Sequence, residues 1–294
     1  MPRWLFFTLI AILSWGLWAV ISKLIGDAVT AAQSQALSTL GLIPVMLALG
    51  CSKRLSATGH ARRGAWNAFL AGALTCVGNI AYYHALNASG KAATVVPLTA
   101  LYPLVTIVLA VVWLKERLNR IQLVGLVLSL GAIYLFNVAS VEGVMNRWLM
   151  FSLIPVTLWG VSGLLQKIST NDISGELSAL WFLAAFVPVA GVLLFLQPLD
   201  KPVSGKTWLL VAALGFFFSI GNFALLAAFA SQGKASIIAP LAGLYPVVSV
   251  PIAILLFGER PGARETAGII VALVSVAALA WETPAISPPS LHPK

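Results

Sequence analysis

The chain is 294 residues long, 60% hydrophobic and only 9% charged, with a mean hydropathy of +0.95 and a formal net charge of +9. A soluble globular domain carries about a quarter of its residues charged, so this composition excludes one and points to an integral membrane protein. The basic balance does not imply nucleic-acid binding. Its Lys and Arg side chains fall in short segments beside apolar runs, where anionic headgroups and the cytoplasmic bias of positive charge account for them.

Ten apolar windows follow in order, near 4–24, 29–50, 65–89, 92–114, 121–139, 148–166, 177–199, 207–232, 235–257 and 264–281. Each is long enough to cross about 30 Å of hydrocarbon as a helix. The expected fold is an all-α polytopic membrane protein of ten transmembrane helices. The first window follows Arg3 as a signal peptide would, but its length, its lack of a small-residue cleavage site and its echo later in the chain favour a retained helix. The residues from Thr283 on, four of twelve being proline, read as a disordered cytoplasmic tail.

The third and fourth windows contain a segment, residues 78–103, that recurs 143 positions later as residues 221–246. Gly78/Gly221, Asn79/Asn222, Gly90/Gly233, Lys91/Lys234, Pro97/Pro240, Tyr102/Tyr245 and Pro103/Pro246 all match, which marks an internal duplication. Trp15-Gly16, Lys23 and Pro44 return as Trp159-Gly160, Lys167 and Pro188 at an offset of 144. The unit is therefore five helices: residues 1–140 form the first repeat, 141–282 the second, and 283–294 the tail. Because five is odd, the second unit starts on the opposite side of the bilayer, and the two repeats are expected to be inverted. With the N-terminus inside, eleven of the 18 Lys and Arg lie on the cytoplasmic side and seven outside, so both termini are read as cytoplasmic.

All nine acidic residues fall in loops or at helix ends. A carrier driven by protons commonly keeps a carboxylate inside a span, and none is seen here. Glu116-Arg117 and Glu259-Arg260 read as local caps of the fourth and ninth helices. Cys51 and Cys76 suggest no disulfide. No Cys, His or carboxylate cluster suggests a metal, and no cofactor is expected.

Neutral polar groups occupy mid-depth instead. Trp15, Asn79 and Tyr102, with Trp159, Asn222 and Tyr245, fall near the centres of the first, third, fourth, sixth, eighth and ninth helices. A buried amide in hydrocarbon needs partners, and proline frees a carbonyl and bends its helix, so Pro97, Pro103, Pro240 and Pro246 are candidate hinges. Two readings stand for each: Trp and Tyr as packing or as cavity wall, Asn as an interhelical bond or a substrate contact, proline as curvature or hinge. The copies part at Tyr82-Tyr83-His84, which face Leu225-Leu226-Ala227. Tyr82, Tyr83 and His84 therefore join the candidate substrate-binding residues, and His84 reads either as a proton site or as a neutral structural histidine. Trp18, Tyr134, Gln166 and Trp181 are further lining candidates, and Lys23, Lys91, Lys167 and Lys234 read as mouth charges or snorkelling anchors.

With G-K-A before the fourth and ninth helices, P-L-x-x-L-Y-P within them and E-R closing them, the whole chain resembles the EamA family of the drug/metabolite transporter superfamily. The aromatic third helix is similar to that of family members exporting aromatic amino acids and paraquat. The resemblance implies a ten-helix bundle, a central cavity between the repeats and export of metabolites from the inner membrane. The expectation is a non-enzymatic amino acid exporter working by alternating access. Its expected partners are a small-molecule substrate and the lipid bilayer, in a monomer. The alternative is a proton-coupled antiporter of cationic drugs. No HExxH motif, carboxylate pair or triad supports an intramembrane enzyme.

Overall fold

The structure, a computed structural model, describes residues 2–57, 59–89, 91–115, 118–138, 147–231 and 235–281. The expectations made for the tail, Gly90, Gly233, Lys234, Glu116 and Arg117 lie outside these residues.

The described chain is helical throughout: α1 (Arg3–Ile25), α2 (Ala31–Gly50), α3 (Ala61–Ser89), α4 (Ala92–Thr99), α5 (Pro103–Leu109), α6 (Arg120–Val138), α7 (Arg147–Asp172), α8 (Gly175–Ala184), α9 (Phe186–Leu196), α10 (Gly205–Ala230), α11 (Ala235–Ala242), α12 (Pro246–Phe257) and α13 (Ala263–Leu279). Among the described residues eight helical stretches are long and apolar enough to span a membrane. The fifth and tenth windows coincide with α6, whose apolar stretch is Arg120–Leu135, and with the 17-residue α13, which fall short of that length.

Helix starts follow local chemistry. The Thr30 hydroxyl accepts from the Gln33 backbone N–H, and the Gln33 side chain accepts from the Thr30 N–H, a reciprocal cap of α2. Ser174 and Ser204 cap α8 and α10 in the simpler way.

The fourth and ninth windows are broken rather than merely bent. After α4, Leu101 and Tyr102 donate to carbonyls three residues back, Leu98 and Thr99, and Leu104 to Leu101. Leu244, Tyr245 and Val247 repeat the pattern on Leu241, Ala242 and Leu244. Pro103 and Pro246, with no N–H to offer, start α5 and α12 at the first helical position, where a donor is not needed. Pro97 and Pro240 stay inside α4 and α11. The two breaks abut: a Cβ on Gly243 would stand 3.1 Å from Pro103 Cγ and 3.2 Å from the Ala100 carbonyl oxygen.

Each copy packs chiefly on the other. α1 runs along α10, α3 along α7, and α6 along α13. These contacts exchange under the sequence offset. A Cβ on Gly72 would strike the Phe182 carbonyl oxygen, and one on its counterpart Gly215 would strike that of Ser38, the counterpart of Phe182. Backbone cannot yield as a side chain can, so glycine sets both crossings. Ser129 and Ser275 meet at 2.6 Å between α6 and α13, and Ser275 also donates to the Gly125 carbonyl.

At one end of the bundle the start of α4 is clamped. The Glu259 carboxylate accepts from the Ala92 and Ala93 N–H groups, both at 2.7 Å. Glu265 pairs with Lys91 at 2.7 Å and accepts from the Thr94 hydroxyl at 3.4 Å. Glu259 is thus a tie between the two copies, correcting its reading as a local cap: the acceptor of a helix N-terminus came from a distant segment. Lys91 is accordingly held by a carboxylate. At the opposite end Gln122 takes the place of Glu265, and its amide donates to the Leu279 carbonyl at 3.1 Å.

Candidate functional site

The centre of the bundle is a box of four rings. Trp15 lies edge-on to Tyr245 and Tyr102, with ring centroids 6.2 and 6.5 Å apart, and Tyr102 lies edge-on to Trp159 at 6.2 Å. Such edge-to-face contacts are the favoured geometry of aromatic pairs. Each indole rests on a glycine of the other copy: a Cβ on Gly221 would come within 2.5 Å of Trp15 Nε1, and one on Gly78 within 2.6 Å of Trp159 Nε1. The Gly-Asn pairs in the sequence are thus seats for the two tryptophans. The tyrosines hang from the helix breaks, where Tyr102 donates its hydroxyl to the Ala239 carbonyl at 3.3 Å and Tyr245 reaches the Thr99 hydroxyl at 3.4 Å.

Against this box lies a cavity of about 50 Å³. A water needs roughly 10–15 Å³ by this measure, so the space holds a few waters and no amino acid. Its walls differ. One is aromatic, with the Trp18 and Phe218 rings 5.8 Å apart. The other is polar: the Thr75 and Ser162 hydroxyls meet at 2.8 Å, Gln166 Nε2 donates to Ser162 at 3.1 Å, and Gln166 Oε1 is buried without a partner. Under the repeat offset, Trp18 corresponds to Ser162 and Phe218 to Thr75. The duplication has supplied one wall in aromatic form and the other in hydroxyl form. The lining contains no charged side chain.

Of the candidates from sequence, Trp15, Tyr102, Trp159, Asn222 and Tyr245 line this cavity. Asn222 donates to the Phe218 carbonyl at 2.9 Å. Asn79 is buried nearby but outside the lining, its Oδ1 without a partner. Tyr82 and Tyr83 stand behind Trp18: Tyr82 stacks on it at 4.8 Å, and Tyr83 lies 6.2 Å from it. His84 is exposed on the outside of α3, stacked on Phe151 of α7 at 5.2 Å, and is not brought to the cavity. Trp18 and Gln166 line it; Tyr134 and Trp181 face outward. Thr75, Ser162 and Phe218 were missed, and their one signal was their place opposite Phe218, Trp18 and Thr75 in the other copy. Among the described residues no group of His, Cys, Asp and Glu could hold a metal.

The profile of the EamA-like transporter family matches residues 2–138 and again 146–281. The chain belongs to the EamA-like transporter family. The two matched segments coincide with the two copies of the duplication, and membership agrees with the eight span-length apolar helices in marking a multi-pass membrane protein. An uncharacterized protein of Methanocaldococcus jannaschii is 36% identical over 73 residues, which is 25% of this chain and 53% of that protein. The chain thus matches only about half the length of that curated relative. A solved crystal structure superposes with a TM-score of 0.68 at 19% identity, covering 93% of this chain and 94% of its own. At that identity the likeness concerns the fold.

Proposed function

We propose that this EamA-like transporter exports amino acids, aromatic ones included, and related small metabolites across the inner membrane by alternating access. The observation that carries the reading is the mixed lining of the cavity: the rings of Trp18 and Phe218 share it with the linked hydroxyls and amide of Thr75, Ser162 and Gln166, and no charged side chain is among them. Such a space suits a solute that is apolar at one end, polar at the other and neutral overall, as a zwitterion is. The small volume of the cavity fits an occluded stage of the cycle, when the rings close on the space the substrate leaves.

In this reading α6 and α13 are the fifth and tenth spans, the repeats are inverted, and both termini are cytoplasmic; the counterparts Glu265 and Gln122, which lie beside opposite ends of α13, support the inversion. Substrate contacts come from Trp15, Tyr102, Trp159, Asn222 and Tyr245. Asn79, Tyr82 and Tyr83 hold the aromatic wall from behind, and the breaks before Pro103 and Pro246 supply the hinges. His84 has no part as a proton site.

Proteoliposomes loaded with single amino acids test the function. Efflux of phenylalanine or tryptophan above that of protein-free vesicles is expected, and no efflux of any amino acid overturns the proposal. A second reading, proton-coupled antiport of cationic drugs such as paraquat, draws on the same rings through cation–π attraction. It requires efflux driven by an imposed pH gradient.

A further inference from the structure

Away from the cavity, the outside of the bundle carries a groove of about 1030 Å³ between the start of α3 and α8. Its floor is aromatic: Trp66, Phe69 and Trp181, with the Trp66 and Phe69 rings stacked at 6.2 Å and 12°. Its rim is basic, formed by His60, Arg62 and Arg63. Trp66 is 64% exposed and Trp181 42% exposed, so neither is consumed in helix packing. Arg63 shares its charge with Asp172 at 3.7 Å, whereas Arg62 makes no ion pair among the described residues.

The other copy of the duplication supplies an internal control. The same helix pair recurs as α10 on α2, but Arg62 corresponds there to Gly205, Trp66 to Leu209, Phe69 to Ala212 and Trp181 to Leu37. The fold therefore closes this helix contact without any of these side chains. They answer to something beyond packing, at the end of the bundle where Arg3 and Arg54 gather beside Glu176 at the start of α8.

We propose that this groove binds one anionic glycerophospholipid from the adjoining leaflet. The phosphate sits between Arg62, Arg63 and His60, and an acyl chain lies along Trp66, Phe69 and Trp181. Charge complementarity selects the headgroup: basic side chains beside a span attract anionic lipid, and Trp is favoured where hydrocarbon meets headgroup. A water-soluble anion would have no use for the three rings.

The test is native mass spectrometry of the full-length protein released from mixed micelles holding equal amounts of phosphatidylglycerol and phosphatidylcholine. Wild type is expected to retain one phosphatidylglycerol in preference to phosphatidylcholine. R62Q should lower that preference about fivefold, the worth of one basic side chain near an anionic surface. The control K206Q, at the position matching Arg63 in the other copy, should leave it unchanged. W66L/W181L uses the residue type the fold accepts at the matching positions, and should lower retention of both lipids. Inorganic phosphate in excess should not displace the bound lipid; displacement would show a free-anion site instead. Equal retention of the two lipids by wild type, or equal effects of R62Q and K206Q, would overturn the proposal.

Discussion

Replacing Glu259 by Gln probes the clamp on the start of α4. The carboxylate is 9% exposed and accepts two backbone N–H groups of α4 at 2.7 Å each. A glutamine keeps the shape but offers one acceptor, and its amide N–H groups then confront the second backbone donor. A hydrogen bond to a charged acceptor contributes about 1.5–3 kcal/mol, so loss of one, with the mismatch, costs about 2 kcal/mol in the closed arrangement. If the opened state has already released α4, the cost falls on the closed state alone and shifts the balance toward opening about thirtyfold. The readout is thiol labelling of Val95→Cys, a fully buried position on α4, in protein with Cys51 and Cys76 replaced. E259Q should raise the labelling rate at least tenfold, within the range set by that shift. Unchanged labelling together with a lowered melting temperature would refute the reasoning, because the bond would then stabilise the fold without governing the end of the bundle.

Other outcomes are expected. G78A places a Cβ against the Trp159 indole and should abolish most transport while costing about 1–3 kcal/mol in stability, the usual range for overpacking; efflux and thermal unfolding in detergent measure the two. K115G should raise the melting temperature by about 1–3 °C, since Lys115 adopts a left-handed backbone (φ 57°) where its counterpart Gly258 (φ 63°) pays no side-chain penalty. Q166L removes the amide, with its unpartnered oxygen and its hydrogen bond to Ser162, from the polar wall and should weaken efflux of polar amino acids more than that of phenylalanine, as a substrate panel would reveal. H84A should leave the pH profile of efflux unchanged, in keeping with its place outside the cavity.

Much of the frame was legible because punctuation survives in both copies. Trp15 and Trp159 stood out by recurring 144 positions apart and Tyr102 and Tyr245 by recurring 143 apart, and the structure gathers them in a single box. Depth along a helix can be counted from its ends, but the direction a side chain faces cannot. Tyr82 and Tyr83 pack against Trp18, and His84 follows them directly in sequence, yet one step along α3 turns the histidine out of the protein. Thr75 and Phe218 carry no signal of their own; each becomes informative only opposite the other. Prolines announced bends in the fourth and ninth helices, whereas the breaks arise from tyrosine-bearing turns that lean on each other across the duplication. Glu259 looked local because its partners, the first amides of α4, lie far away in sequence.

The seating of each tryptophan on the opposite copy's glycine bears on how the protein is made. Trp15 emerges from the ribosome long before Gly221, and Gly78 long before Trp159, so the first repeat enters the membrane with its inward faces unmatched. Neither half finishes its interior alone. α7 brings Trp159 to Gly78, and the middle of the molecule closes only once α10 has brought Gly221 to Trp15. A chain cut between residues 140 and 147 should accordingly be recovered by producing the two pieces side by side, while either piece by itself is left for the quality-control proteases.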